Sequence, residues 1–403
     1  MLQKNYNIRF EKIIYGGDAI GRLPDGRVIM VHGLLPGEAA AVEVTAERKD
    51  CVRGVVRELL ESSPHRAAPG CPFSRNCPGC RYDFCTSEAE TALKRRQLRD
   101  FLKHLPAGSV AADAVAHSPA PESLWNYRNK IELVMERAGG LPQLGYRMNN
   151  GRILDIPECR LAEGAINSKL ALLRKDPGFM ASLHRDMRLV LRTDAAGNVI
   201  IRRNSAGANG RMITRLLPDG KEFFVPEDGF FQVNDHGLQL LWAETAMLLK
   251  KYLGNGIFVD AYAGSGLFSC CAAACGAERI IAVESQENSV AAAEMNFKVR
   301  ERRDIRITAA DAEIFMQDTL PSLPEGSVIL IDPPRRGRSA ATLKALTAAE
   351  AAGVIYVSCD PATLTRDLGG FVRAGFRVVY ARALPMFPRC AAFESVVFLE
   401  RVQ

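Results

Sequence analysis

Between residues 5 and 62 apolar and polar positions alternate in short runs: YNIRFEKI, DGRVIMVH, EAAAVEVTAER and DCVRGVVREL. Turn signals separate them at Gly16-Gly17-Asp18, Pro24-Asp25-Gly26 and Leu35-Pro36-Gly37. A period of two broken this often predicts short strands that close into a small OB-like β-barrel. After Ser62-Ser63-Pro64 the pattern changes. Residues 63–225 hold a cysteine-rich loop, a helical pattern from Ser87 to Leu105, and the short strand patterns NKIELVMER, QLGYRMNNGRILDI, RLVLRTDAAGNVIIRRN and KEFFVPE. This is a mixed α+β region. The remainder, 226–403, alternates strand patterns (GIFVDAYAG, RIIAVES, IRITAAD, SVILIDPP, GVIYVSCD, FRVVYARALP), several of them near-continuous apolar runs, with the helical patterns AAAEMNFKVR and TLKALTAAEAA. Strands that are apolar throughout are buried on both faces, so this part predicts an α/β doubly wound parallel sheet. ESVVFLERV closes it as a last, antiparallel strand. Three domains follow, 1–62, 63–225 and 226–403, with the 87–105 helix a candidate to pack on the third.

Composition narrows the functional classes. At 403 residues, 47% hydrophobic and 24% charged, the chain can bury sizeable cores. No apolar run approaches the roughly 20 residues of a membrane helix, and MLQKNYNIRFEKI lacks a signal peptide's apolar core. A cytoplasmic monomer with no membrane partner is expected. Eleven cysteines in a reducing compartment point to metal binding or catalysis rather than disulfides. The formal charge of +6 leans toward an anionic partner. Between residues 184 and 216, Arg185, Arg188, Arg192, Arg202, Arg203, Arg211 and Arg215 face only Asp186 and Asp194. That run is either a solvated sheet face or a phosphate-facing surface.

The segment Phe258 to Gly266 puts a buried strand before a glycine-rich turn that opens a helix. Gly264 and Gly266 let the backbone approach a ligand, and the helix N-terminus offers free N–H groups. Nicotinamide-cofactor enzymes share such a turn, but Ser269 stands where their third glycine would be. Glu284 ends the next strand, where a carboxylate accepts from ribose hydroxyls, and Asp311 follows the third, where an adenine contact would sit. These positions favour an adenosine-bearing cofactor without naming it.

Two further strand ends carry chemistry. Ile331-Asp332-Pro333-Pro334-Arg335-Arg336-Gly337 makes a rigid, non-helical exit that fixes the Asp332 carboxylate at the sheet edge. Val357-Ser358-Cys359-Asp360-Pro361 leaves Cys359 between a strand and a helix N-terminus, a setting that raises a thiol's thiolate fraction. Elsewhere Cys71-x5-Cys77-x2-Cys80, with Cys159 far downstream, is a four-thiolate pattern that suits zinc or an iron–sulfur cluster alike. Cys51, Cys270, Cys271, Cys275 and Cys390 are expected to be packing residues.

In combination, FQVN, DAYAGSG, IDPPRRG, YVSCDPATLTRDL, the Pro385-Met386-Phe387-Pro388 stretch and Phe393-Glu394-Ser395-Val396 resemble the S-adenosylmethionine-dependent RNA m5U methyltransferases, and the N-terminal barrel resembles a TRAM domain. The resemblance spans nearly the whole chain. It implies a Rossmann-like class I methyltransferase domain and an RNA substrate. It makes Cys359 the nucleophile and Glu394 the general base, with Gln232, Tyr262, Leu267, Glu284, Asp311 and Asp332 at cofactor positions. Leu267 offers only backbone or packing contacts. Where family members commonly carry histidines, Arg389 and Ala392 stand here. The cysteine spacing resembles the [4Fe–4S] site of the 23S ribosomal RNA branch, with Cys71, Cys77, Cys80 and Cys159 as ligands and Cys85 outside. The chemistry fits: thiolate addition at C6 of uracil makes C5 nucleophilic toward a methyl sulfonium, and a base then removes the C5 proton. Three alternatives stand beside this expectation. One is a tRNA uracil methyltransferase, whose bacterial branch typically lacks the barrel and the cysteines. Another is a non-catalytic RNA-binding protein. The third, an RNA cytosine-C5 enzyme, would resemble a Thr-Cys nucleophile paired with a Pro-Cys, which the DPP here does not provide.

Overall fold

The computed structural model of the chain describes all residues except 1–4, 49–50, 139–140, 149, 204–209, 303, 335–336, 338 and 403. Arg335 and Arg336 of the DPPRRG motif therefore lie outside the described residues.

The N-terminal alternation closes on itself. β1 (Asn5–Ile13), β2 (Asp18–Arg22), β3 (Val28–His32), β4 (Ala39–Glu47) and β5 (Cys51–Glu61) form a barrel in the order β1-β2-β3-β5-β4. Five strands stand where the pattern shows four, because Asp18–Arg22, placed with the turn, pairs with both β1 and β3. A register shift between Phe10 and Lys12 turns Ile13 inward beside Ile8 and Phe10, which a strict period of two would not allow. Gly21 is required because Ile8 Cγ2 lies 2.4 Å from where its Cβ would be.

Helix α1 (Ser87–Leu102) follows the cysteine loop and starts at Thr86, whose side chain accepts from Ala89 N. Three residues shorter than its pattern, it buries Leu98 and Leu102 in one cluster with Leu368, Phe371 and Val378 of the C-terminal region. Next come β6 (Lys130–Ala138), β7 (Leu141–Arg147), β8 (Ile153–Asp155), α2 (Gly164–Lys175), α3 (Pro177–Ala181), β9 (Arg188–Thr193) and β10 (Val199–Arg203). Their strands make an antiparallel sheet in the order β10-β9-β6-β7-β8, and β11 (Met212–Leu216) pairs separately with β12 (Glu222–Pro226).

The run of arginines does not form one face. Arg192 is 2% exposed and donates to the Gly229 carbonyl at 3.0 Å, while Arg215 is 4% exposed and donates to Asp235 and Thr193. Arg202 lies beside Glu227 and Asp228. Arg185 and Arg188 keep most of their side chains in solvent.

The last region contains α4 (Asp235–Tyr252), β13 (Phe258–Ala261), α5 (Leu267–Ala274), β14 (Ile280–Glu284), α6 (Glu287–Val299), β15 (Arg306–Ala309), α7 (Ala312–Thr319), β16 (Val328–Ile331), α8 (Ala340–Ala348), β17 (Gly353–Ser358), α9 (Pro361–Arg373), β18 (Phe376–Leu384) and β19 (Glu394–Arg401). They build one seven-stranded sheet, β15-β14-β13-β16-β17-β19-β18. β13 to β17 pair in parallel, and β19 runs antiparallel to both of its neighbours. Strand order reverses between β13 and β16, so a ligand crevice belongs at their carboxyl ends. Among the described residues no helix is long and apolar enough to cross a membrane.

Candidate active site

β13 and β16 end together, with Ala261 paired to Ile331, so Tyr262 and Asp332 leave the sheet side by side at the switch point. Tyr262 has φ 68°, a left-handed conformation that a bulky side chain rarely adopts and that marks a strained turn. Gly264 and Gly266 also have positive φ, and a Cβ on Gly266 would lie 2.8 Å from the Phe297 ring. The backbone therefore stays bare over the crevice, and α5 begins at Leu267, which packs on the core beneath. Glu284, at the tip of β14, accepts from Gly264 N through Oε2 and from Ser285 N and Gln286 N through Oε1. Asp311 caps α7 by accepting from Glu313 N and is exposed beyond β15. Gln232 is buried just before α4, its carbonyl held by Asn129 Nδ2 at 3.0 Å.

Asp260 belongs to this crevice although nothing in the DAYAGSG motif singles it out. Its Oδ2 accepts from Ser269 N and Oγ at 2.8 and 2.7 Å, while Oδ1 is buried and has no hydrogen-bond partner among the described residues. Ser269, at the missing third glycine, thus serves to hold this carboxylate. Burial pushes Asp260 up to about 6, against the hydrogen bonds from Ser269. Burial, with the Asp260 charge added, pushes Asp332 to about 7. Two acidic groups with an orphaned oxygen suit a ligand that brings a positive charge, as the ammonium and sulfonium of S-adenosylmethionine do.

The second half of the site comes from strand register. Ser358 pairs with Ser395, and Ser395 Oγ donates to Ser358 O at 2.8 Å. One step beyond that pair lie Cys359 on one strand and the buried Glu394 on its neighbour. The N–H groups at the start of α9 are taken by Asp360, whose Oδ1 accepts from Ala362 N and Thr363 N. Hence Asp360, not the Cys359 thiol, receives these two N–H groups.

The histidine-replacing Arg389 is a structural residue. It is buried with φ 65° and donates to the carbonyls of Tyr82 and Cys85, while its backbone N–H donates to Glu90. It pins the segment before Glu394 to the cysteine loop and α1. Ala392 is half-buried.

Cys71, Cys77, Cys80 and Cys159 line one cavity of about 260 Å³. Asp83 accepts from Cys71 N, and Asn167 both accepts from Cys159 N and donates to Cys159 O. Burial pushes the thiols of Cys71, Cys77 and Cys80 up, and each is raised further by its neighbouring thiols. Such a set becomes favourable as thiolates only around a cationic body. Cys390, expected to be a packing residue, lines the same cavity and accepts from Arg128 at 3.5 Å. Its position follows from the Arg389 anchor, which no spacing rule reveals. Cys85 lies outside the cavity lining, fully buried with its thiol on Tyr82 O.

Comparison with known proteins places the chain among similar sequences. Residues 219–402 match the family model described as tRNA (Uracil-5-)-methyltransferase, and residues 1–56 match the TRAM domain. An RNA methyltransferase of Gloeobacter violaceus is 27% identical, covering 96% of this chain and 94% of its own. The 23S rRNA (uracil(1939)-C(5))-methyltransferase of Legionella pneumophila is 26% identical over 98% of this chain and 96% of its own. Among solved structures, the Pyrococcus abyssi tRNA (uracil-54, C5)-methyltransferase bound to S-adenosyl-L-homocysteine superposes with a TM-score of 0.72 at 20% identity, covering 97% of this chain and 99% of its own.

Proposed function

We propose that this chain, an S-adenosylmethionine-dependent RNA (uracil-5-)-methyltransferase by its family, methylates a uridine of 23S ribosomal RNA through a covalent bond between Cys359 and C6 of the base. The observation that carries the reading is the Ser358–Ser395 pairing, from which Cys359 and Glu394 emerge on adjacent strands beside the crevice holding Asp332. In this reading the Cys359 thiolate adds to C6, and the electron pair moves through C5 toward O4. Bound S-adenosylmethionine supplies the electrophilic methyl group that C5 accepts. Glu394 then takes the C5 proton, the C5–C6 double bond re-forms, and Cys359 leaves as thiolate. Gln232, Tyr262, Gly264, Gly266, Leu267, Glu284, Asp311 and Asp332 surround the cofactor, with Asp260 as an added member. The target base must be swung out of any stack to reach the buried base catalyst.

Cys71, Cys77, Cys80 and Cys159 hold a [4Fe–4S] cluster in this reading. A common cavity lined by all four cysteines supports it. The division of labour is residues 1–62 as an RNA-binding barrel, 63–225 as a cluster-bearing central domain and 226–403 as the methyltransferase, acting as a cytoplasmic monomer.

A tRNA substrate is the second reading. The barrel does not separate the two, since the Pyrococcus abyssi neighbour covers 97% of this chain with the same architecture. Mass mapping of ribosomal and transfer RNA from a deletion strain distinguishes them by where the methyl group disappears. The mechanism is tested with RNA carrying 5-fluorouridine at the target. Fluorine cannot leave C5 as a cation, so the wild-type protein remains joined to the RNA through denaturing electrophoresis, and Cys359→Ser gives no adduct. An equal adduct with Cys359→Ser would assign the nucleophile elsewhere.

A further inference from the structure

The N-terminal barrel reaches the catalytic centre. The turn between β1 and β2 closes with Gly17 N donating to Ile14 O at 3.0 Å, and Gly16 supplies the positive φ, 100°, that such a turn requires at its third position. Tyr15 stands at the tip and leaves the barrel altogether. Its side chain packs against the cluster formed by the methyltransferase sheet, edge-on to Phe393 at 5.8 Å and to Phe101 at 6.0 Å between ring centroids. Phe393 is fully buried and immediately precedes Glu394. The Tyr15 hydroxyl donates to the carbonyl of Cys359 itself at 3.2 Å.

That bond completes a series. Ser358 O accepts from Ser395 Oγ, Cys359 O from Tyr15, and Asp360 O from Ser358 Oγ at 3.1 Å. Three consecutive carbonyls around the nucleophile are thus fixed, and the middle one is fixed by a residue more than 340 positions away. The turn that presents Tyr15 is itself held from outside the barrel. Gln97 of α1 donates to Ile14 O at 3.1 Å, and Arg81 donates to Gly16 O at 3.1 Å and to Asp18 at 2.5 Å. A side chain clamped on both sides is a positioning device rather than a loose surface contact.

We propose that Tyr15 is a positioning residue for the reaction: its hydroxyl orients the Cys359 peptide and its ring backs Phe393, so the barrel sets the geometry of nucleophile and base in addition to any grip on RNA. This rests on the assignment of Cys359 and Glu394 given above. Tyr15→Phe keeps the ring contacts and removes only the hydroxyl, and Tyr15→Ala removes both. With 5-fluorouridine RNA at saturation, adduct formation by Tyr15→Phe should slow roughly tenfold, as loss of one orienting bond at a reacting centre implies. Dissociation constants for RNA and for S-adenosylhomocysteine should stay within about twofold of wild type, and Tyr15→Ala, if it folds, should be slower still. An unchanged adduct rate in Tyr15→Phe would overturn the proposal, as would a weakened RNA affinity with the rate at saturation intact, which would make Tyr15 an RNA contact. Failure of the underlying assignment is separately visible, because wild-type protein would then form no adduct through Cys359 at all.

Discussion

Two groups of cysteines, to which the proposed function gives different work, are built in opposite ways. Cys359 sits where regular structure ends: the register of β17 and β19 places it next to Glu394, and the neighbouring strand β16 delivers Asp332. Its chemistry is a property of a strand edge. The four thiols of the proposed cluster site come instead from irregular segments, three in one loop and Cys159 near α2, held by side chains such as Asp83 and Asn167. A sheet edge needs nothing bound to keep its shape, because backbone pairing fixes it. The loop pocket gathers buried thiols that push one another toward the neutral form, so the proposed cluster, not the fold alone, would have to favour their thiolates. The two centres are joined at one segment, residues 385–394, where Arg389 anchors to the cysteine loop, Cys390 faces the cavity and Glu394 ends at the catalytic edge.

The comparison breaks most sharply by separating the two functions. Cys359→Ser should lower turnover by on the order of 10³-fold or more, as loss of a covalent nucleophile does, with iron content unchanged. Protein purified without oxygen should be brown and hold about four irons per chain. Cys71→Ala, Cys77→Ala, Cys80→Ala and Cys159→Ala should each bleach it, while Cys85→Ala should not. Affinity for S-adenosylhomocysteine should survive bleaching within about threefold, because the crevice between β13 and β16 is formed by backbone pairing. A colourless anaerobic protein with one zinc would replace the cluster by a single ion. Iron lost on Cys359→Ser would mean that the two centres are not separable.

The same contrast explains what could be read from the sequence. The strands of the large sheet and its antiparallel end are legible, several of them as near-continuous apolar runs such as Val328–Ile331 and Gly353–Ser358, although β15 is mostly exposed. Helix α4 is not among the helical patterns read along the chain, although Leu238, Leu241, Leu248 and Leu249 bury one side of it. In the barrel, β2 was hidden inside a turn signal, having only five residues and a glycine among them. At the site, motif positions came from resemblance, whereas Asp260, Cys390 and Tyr15 depend on tertiary proximity. No local pattern tells that a barrel turn meets Cys359, or that Arg192 and Arg215 lie inside rather than on a phosphate-facing surface.

A smaller effect, in pH, sharpens the cofactor side of the comparison. Asp260 and Asp332 have carboxyls raised to about 6 and about 7 in the free protein. Raised carboxyls hold protons more tightly folded than unfolded, so their contribution to stability falls as pH rises from about 4 to about 7. Ligand affinity has the opposite sign. A ligand ammonium favours the ionised pair, so binding of S-adenosylhomocysteine should strengthen as pH rises through the same window and level off above it. The slope should be at most about tenfold per pH unit per proton released, which calorimetry in buffers of different ionisation enthalpy reads directly. Asp260→Asn should flatten the profile. An affinity independent of pH from 5.5 to 8 would remove the acidic pair from the cofactor site.

The smallest expected effect concerns how the central region meets RNA, and it separates arginines by position rather than by number. Arg185 and Arg188 extend from the surface with side chains 76% and 66% exposed, Arg185 at 3.9 Å from Glu136 and Arg188 paired with Glu132 at 3.0 Å. If they meet phosphates, each removal should weaken RNA binding less than about tenfold near 0.1 M salt and shallow the dependence of affinity on salt by about one unit or slightly less. Arg192 is close to them in sequence but is spent on the Gly229 carbonyl inside the protein. Arg192→Ala should therefore lower the melting temperature, by leaving that half-buried carbonyl without its donor, and leave the salt slope as it was. Filter binding across a salt series, with thermal unfolding on the same proteins, gives both numbers for each variant. A salt slope unmoved by Arg185→Ala and Arg188→Ala together would take this sheet away from the RNA and leave the barrel as the principal electrostatic contact.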